Sequence, residues 1–191
     1  MAVPAPRTWA PGEIPTAAHF NADIRDAVNF YKRPPAGQAK DASDDTITAE
    51  TWTLVSWTDT DPFDTDTVHS TSSNTSRLVA TTAGFYQAYA HLRWAEHIDN
   101  IGIRSAQIRK NAAGASGGGS QVALDIRHSN NFSSDRMGQS FTGFCQMAAT
   151  DYLEVFVWHD QTNAIGTPIS TILYHGDTVA ATRFGMVWIA S

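Results

Sequence analysis

With 191 residues, 42% of them apolar, the chain can bury one full core and carry an appendage, which excludes wholesale disorder. A formal net charge of −6, with lysine only at positions 32, 40 and 110, argues against nucleic acid or an anionic membrane as partner, because both need a basic surface. The single cysteine, Cys145, rules out an intrachain disulfide and any zinc site built from two thiolates of one chain, and its apolar neighbours in SFTGFCQM mark it as a small buried hydrophobe.

Residues 1–15 carry prolines at 4, 6, 11 and 15 and read as extended chain without the apolar stretch of a secretion signal. The expectation is a protein made in a cytoplasm that leaves, if at all, without a signal. TAAHFNADIRDAVNFYKR follows. It places Phe20, Ile24, Ala27, Val28 and Tyr31 three and four residues apart, the spacing of a short amphipathic helix. Thr16 is its expected N-cap, Lys32 and Arg33 lie in its last turn, and Pro34 and Pro35 stop it. A helix this short must dock on something: its own domain, sister chains or a partner. GQAKDASDD (37–45) reads as a solvated linker.

From about Thr46 the helical period vanishes. TWTLVSW (51–57) alternates, and SRLVA (76–80) is a short strand after a polar loop. In AGFYQAYAHLRW (83–94), Tyr86, Ala88, Ala90, Leu92 and Trp94 form an apolar face; Gln87, Tyr89, His91 and Arg93 form a wetter one. That period of two predicts a long strand packed on a core by one side. Further strands are expected at 100–110, 122–128, 138–147, 151–159, 170–176 and 183–190, with a glycine-rich hairpin tip at 113–120. Many short strands between Gly, Asn, Asp and Ser turns predict an all-β fold, an antiparallel jelly-roll sandwich of about eight to ten strands preceded by an extended arm with one short helix. No apolar run approaches the ~18 residues that span a bilayer.

Chemistry is thinly signalled. Asp59, Asp61, Asp64 and Asp66 crowd one loop and could hold calcium through oxygen ligands, but the spacing is not that of an EF-hand and the turn glycine is missing; a solvated charged loop is the expected reading. His91 and His97 flank a strand end with Glu96 and Asp99 nearby, with no metal-binding helical pair. No nucleophile motif is present around any serine. No cofactor is expected. DYLEVFVWH (151–159) is more telling. Leu153, Val155 and Val157 line one face and Tyr152, Phe156 and Trp158 the other, so it must be covered twice. One cover is the sandwich core; the other is expected to be a neighbouring subunit, the alternative being a fully internal strand covered by the N-terminal segment.

The order Trp52–Val55, Arg77–Ala80, Ala83–Ala90, Gly102–Asn111, Asp151–His159 and Phe184–Ile189 resembles the jelly roll of complement-component globular heads and the tumour-necrosis-factor group, over residues 46–191. Thr150-Asp151 stands where that group has Gly-Asp, and Phe184-Gly185 is contiguous where it has F-x-G. The opening Trp9, Gly12, Glu13, Thr16 to Ala18, Phe20, Asn21, Ile24, Arg25 and Asp26 is similar to the start of small virion proteins of tailed bacteriophages of actinobacteria.

Together these resemblances imply a non-enzymatic virion structural protein: a capsid-decorating, head-fibre or minor tail component assembled in the host cytoplasm and released by lysis. Residues 1–45 would anchor it to phage capsid or tail proteins through Trp9, Phe20, Ile24 and Val28. Residues 46–191 would form a homotrimer, with Tyr89, Tyr152, Phe156 and Trp158 in the interface. A closed ring of three head-to-tail contacts uses two patches per subunit, and an obligate contact buries on the order of 2,000 Å² or more. The alternative is a binding module whose loops at 114–120 and 128–135 recognise a host-surface glycan or protein.

Overall fold

A computed structural model describes residues 3–5, 7–41, 43–95, 102–129, 137–160, 171–173 and 182–191. Thr16 caps the helix as its sequence requires. Its hydroxyl accepts from the His19 amide while the His19 ring accepts from the Thr16 amide, a reciprocal box that starts α1 (Ala17–Phe20). A π-helical turn (Asn21–Arg25) carries on into α2 (Asp26–Lys32), which ends at Arg33 before the two prolines. No helix among the described residues is long and apolar enough to cross a membrane.

Twelve strands follow among the described residues: β1 (Ala36–Lys40), β2 (Asp45–Ile47), β3 (Thr53–Leu54), β4 (Phe63–Asp64), β5 (Arg77–Val79), β6 (Gly84–Trp94), β7 (Gly102–Lys110), β8 (Ser120–Ser129), β9 (Met137–Met147), β10 (Tyr152–His159), β11 (Thr171–Leu173) and β12 (Arg183–Ala190). They form two antiparallel sheets. In the first, β6 lies between β9 and β12, β1 flanks β12, β4 flanks β1, and β11 joins the end of β6 to β2. In the second, β8, β7 and β10 run side by side, with β3 and β5 on the far edge of β10. This is the expected antiparallel jelly-roll sandwich behind a helical arm.

The two sheets close on Tyr86, Ala88, Ala90, Leu92 and Trp94 of β6, Leu153, Val155 and Val157 of β10, and Phe184, Met186 and Trp188 of β12. Each alternates with an outward residue, as the period of two demands. Cys145 is only half-buried at the edge of this core, and burial pushes its thiol above its ordinary pKa.

One stretch departs from expectation. The supposed linker 37–45 is largely strand: β1 pairs along its whole length with β12 and also meets β4. The jelly roll therefore begins at Ala36, ten residues ahead of the boundary read from composition. Gly37 is needed there, because a Cβ would stand 2.2 Å from Val68 Cγ2.

The helix docks on the end of the sandwich through Phe30, whose ring meets Trp188 edge-on at 4.8 Å. Trp188 in turn donates from Nε1 to the Ala83 carbonyl and sits against Gly84. Gly84 has φ 151°, and a Cβ there would lie 2.3 Å from the indole nitrogen, so Ala83-Gly84 at the start of β6 is the seat of the tryptophan that holds the arm.

Candidate assembly surfaces

Four strands present one continuous outward face on the first sheet. In register across it stand Gln38, Gly185, Tyr89 and Thr142, and beside them Lys40, Arg183, His91 and Ser140. Tyr89 lies flat across Gly185. A Cβ at that glycine would be 2.4 Å from the ring, and the absence of one lets the phenol oxygen reach Gln38, whose amide donates to it. The ring therefore leans toward β1 and leaves space on its β9 side, where the outward side chains are the small Ser140 and Thr142. The result is a depression of about 310 Å³ between Tyr89 and His91, lined also by Ala90 and Phe141. Toward the helix end the same face exposes Phe85 and Phe144, the latter 63% exposed. Ile189 is exposed beyond it and Val187 half-buried within it.

Tyr152, Phe156 and Trp158, grouped with Tyr89 by sequence, lie on the other sheet and face the opposite way. Phe156 is 1% exposed within a single chain, so it has no surface to give a neighbour. On the same side lies the 113–119 loop, expected as a free hairpin tip. That loop folds back over β7 and β10: Gln107 Nε2 donates to the Ser116 carbonyl, Arg109 Nε to that of Gly118, and the Gly114 amide to Glu154 Oε2. Glu154, fully buried on this outward side, is held by Arg77 Nε at 3.0 Å, and the Arg77 guanidinium stacks 4.1 Å over the Tyr152 ring. The Tyr152 hydroxyl accepts from the Ala113 amide. Trp158 is half-buried against Trp52, ring centroids 6.4 Å apart. The second cover demanded by the sequence of β10 thus comes from its own chain. Farther out on the same sheet, the edge strand β8 exposes Leu124 and Ile126, and its Val122 carbonyl runs close over Gly143 of β9.

The helix keeps a second apolar surface. Phe30 is its buried residue, while Phe20, Ile24, Val28 and Tyr31 form an exposed stripe, Ile24 at 54%. The extended arm folds back beside it. Arg7 pairs with Glu13 and Asp23 and lies 5.3 Å over the Trp9 ring, which meets His19 edge-on and stays partly exposed. Trp9, Phe20, Ile24 and Val28, the residues expected to anchor, are all solvent-exposed apolar groups on this arm.

The acidic loop is built for its own support. Asp64 accepts three backbone amides, those of Asp66, Val68 and His69; Asp61 holds the His69 ring at 2.7 Å; Asp59 pairs with Lys40; and Asp66 accepts the Thr81 hydroxyl. Burial raises the Asp61 carboxyl against the pull of His69, and Lys40 lowers that of Asp59. Four carboxylates aimed at four separate partners do not form a calcium cage, and among the described residues no group of three His, Cys, Asp or Glu could hold a metal. His97, Glu96 and Asp99 lie outside the described residues, as does most of the 128–135 loop.

Sequence reasoning missed Phe85, Phe144, Leu124 and Ile126 as exposed apolar groups. A signal existed for Phe144: in GQSFTGFCQM it takes the same parity as Ser140 and Thr142, the outward one. None existed for the Tyr89–Gly185 contact, which joins residues 96 positions apart.

No family model and no curated protein matches the chain. Solved structures match at the level of the fold. The globular domain of zebrafish complement 1qA protein gives a TM-score of 0.52 at 12% identity, covering 81% of this chain and 97% of that one. Murine APRIL gives 0.55 at 12% identity at pH 5.0 and 0.54 at 10% identity at pH 8.0, in both cases covering 81% of this chain and 98% of the other. The similarity is one of fold, and it agrees with the two-sheet arrangement described above.

Proposed function

We propose that this chain is a non-enzymatic structural module that assembles as a homotrimer through its jelly roll and is fixed by its N-terminal arm to a larger particle of the tailed-bacteriophage kind. The observation that carries the assembly is the make-up of the first sheet's outward face. The chain has 19 acidic residues and a net charge of −6. Yet the described outward residues of β1, β6, β9 and β12 include no carboxylate, while Phe85, Phe144, Tyr89 and Val187 lie there with Arg93 and Arg183. Such a face is complementary to the rest of an acidic chain, that is, to another copy of itself.

The second patch is the β8 edge with Leu124 and Ile126. A face on one subunit meeting an edge on the next is a head-to-tail contact of two unlike patches, the kind that closes into a ring. Tyr89 sits at the centre of the first patch; Tyr152 and Trp158 retain partial exposure on the sheet that carries the second. Attachment is given to Trp9, Phe20, Ile24 and Val28, whose side chains stay exposed among the described residues. The phage setting rests on the resemblance of the Trp9–Asp26 segment. The non-enzymatic reading is supported by the acidic loop, whose four carboxylates are each taken up by a structural partner.

Mass in solution tests the assembly. Native mass spectrometry of the full chain should give three times 20.8 kDa, and Phe85→Asp with Phe144→Asp should give the single-chain mass with the fold intact by circular dichroism. A stable wild-type monomer at micromolar concentration would refute the trimer. Particles that incorporate an Ile24→Asp, Val28→Asp variant as well as wild type would refute the anchoring role.

A further inference from the structure

We propose that the outward face of the first sheet, at its end away from the helix, binds a small oxyanion between Arg183 and His91. The observation is a cross-strand row of basic groups. Lys40 of β1 stands opposite Arg183 of β12, which stands opposite His91 of β6, which stands opposite Ser140 of β9. Directly opposed residues on one face have Cβ atoms about 5 Å apart, and like charges so placed oppose folding. Asp59 answers Lys40 at 2.8 Å. Arg183 NH1 meets the neutral Gln38 Oε1 at 3.3 Å. His91 Nδ1 meets the neutral Ser140 hydroxyl at 2.6 Å. Arg93 lies two residues from His91 on the same face.

The depression lies on the β9 side of this row. His91 forms one wall and Ser140 supplies a hydroxyl, while the Thr142 hydroxyl is taken by the Ala88 carbonyl at 2.8 Å. In the neutral tautomer that carries its hydrogen on Nε2, His91 Nδ1 accepts the Ser140 proton. With His91 protonated, Nδ1 donates to Ser140, and the serine hydroxyl is freed to donate onward. Protonation therefore adds a charge and a donor at once. Among the described residues, the charged and titratable groups facing His91 are Arg183, Arg93, Lys40 with its Asp59, and the Tyr89 phenol. Burial first, and then Arg183 and Arg93, hold His91 below its ordinary pKa. A bound anion reverses the electrostatic part of that, so binding takes up a proton and tightens on acidification.

The site goes beyond the assembly reading but lies on the same sheet face, so binding and the number of copies are read separately. Full-length protein is titrated with sulfate from 0 to roughly 20 mM at fixed ionic strength balanced by sodium chloride, so that screening is constant. Unfolding temperature and native mass are read together. The expected result is a rise in Tm that saturates, with apparent affinity roughly threefold or more tighter at pH 6 than at pH 8. Arg183→Gln should abolish the saturable rise. His91→Gln should keep a weaker one without pH dependence. A linear rise equal in wild type and R183Q, or a saturable rise that both variants retain, would overturn the proposal. So would a loss of assembly in R183Q with no sulfate response in wild type, which would assign the row to a neighbouring subunit's carboxylate. Saturable, Arg183-dependent binding by a chain of monomeric mass would uphold the site and sink the trimer.

Discussion

The contact between Tyr89 and Gly185 can be tested by a single methyl group. In Gly185→Ala the new Cβ would stand 2.4 Å from the ring carbon Cζ and 2.5 Å from the phenol oxygen. Gly185 has ordinary strand backbone, so alanine itself is welcome there and gains about 0.5–1 kcal/mol from the less flexible unfolded chain. The ring must lift off the strand. That forfeits the Gln38 hydrogen bond, about 1 kcal/mol, and a ring-to-backbone contact of about 1–2 kcal/mol. The net loss is about 1–2 kcal/mol, which for a chain of this size lowers Tm by roughly 2–8 °C. In a Tyr89→Ala background the obstruction is gone, and the same Gly185→Ala change should stabilise by about 0.5–1 kcal/mol. Urea unfolding of the four proteins at one protomer concentration closes the cycle, with a coupling of about 2 kcal/mol. Equal destabilisation by Gly185→Ala with and without Tyr89 would refute the reasoning.

Other expectations follow from the packing. Phe30→Ala should cost about 3–5 kcal/mol of arm docking by leaving Trp188 uncovered, seen as early protease cleavage within 17–33 while the sandwich resists. Gly84→Ala, at φ 151° against the Trp188 indole and the Ala190 carbonyl, should destabilise by more than any exposed substitution and is read from the urea midpoint. Arg77→Met leaves the buried Glu154 without its cation and should cost about 3 kcal/mol, whereas Glu154→Gln should cost less; a reversed order would remove the buried-charge argument. His159, fully buried, is held below its ordinary pKa by burial, with Arg104 adding to it, against the opposing pull of its Nε2 hydrogen bond to the Ile47 carbonyl. Its folded pKa is depressed, so the unfolded chain takes the proton first. Stability should be full above about pH 6.5 and fall as pH drops below it, and His159→Gln should flatten the urea midpoint across pH 8 to 5.

Much of the sandwich was legible because its strands obey a period of two against one core. Tyr86 to Trp94 alternate without a break, and β7, β9, β10 and β12 fall within a residue or two of the stretches read for them. Two motifs even meet in space. Asn111, at φ 55°, donates to Asp151 and accepts the Tyr152 amide, which closes the turn after β7 onto β10 and holds the Asp151 carboxyl below its ordinary pKa. AGQAK was not legible as strand. It has no β-branched or aromatic residue, and its pairing comes from β12 and β4 on either side. The double cover of β10 was readable from its two apolar faces, but the identity of the cover was not. The 113–119 loop binds largely through backbone groups, which side-chain patterns do not report.

That self-made cover bears on how the molecule can assemble. The second sheet closes its own central surface with Phe156, Glu154, Arg77 and the folded loop, leaving exposed apolar groups at the β8 edge. Among the described residues no such loop lies over the first sheet, and Phe85, Phe144 and the Tyr89 depression are open. The arm leaves the chain directly into β1, a strand of that first sheet, and Phe30 pins it to Trp188 of the neighbouring β12. Any ring built on the first sheet therefore carries its arms in fixed register with the interface. Three stripes of Phe20, Ile24 and Val28 would then be presented together, and a weak contact at each becomes strong by being made three times at once. On the proposed function, loosening the Phe30 joint should weaken attachment to the particle more than assembly of the ring, and a Phe30→Ala protein that loses both equally would break this link between the two surfaces.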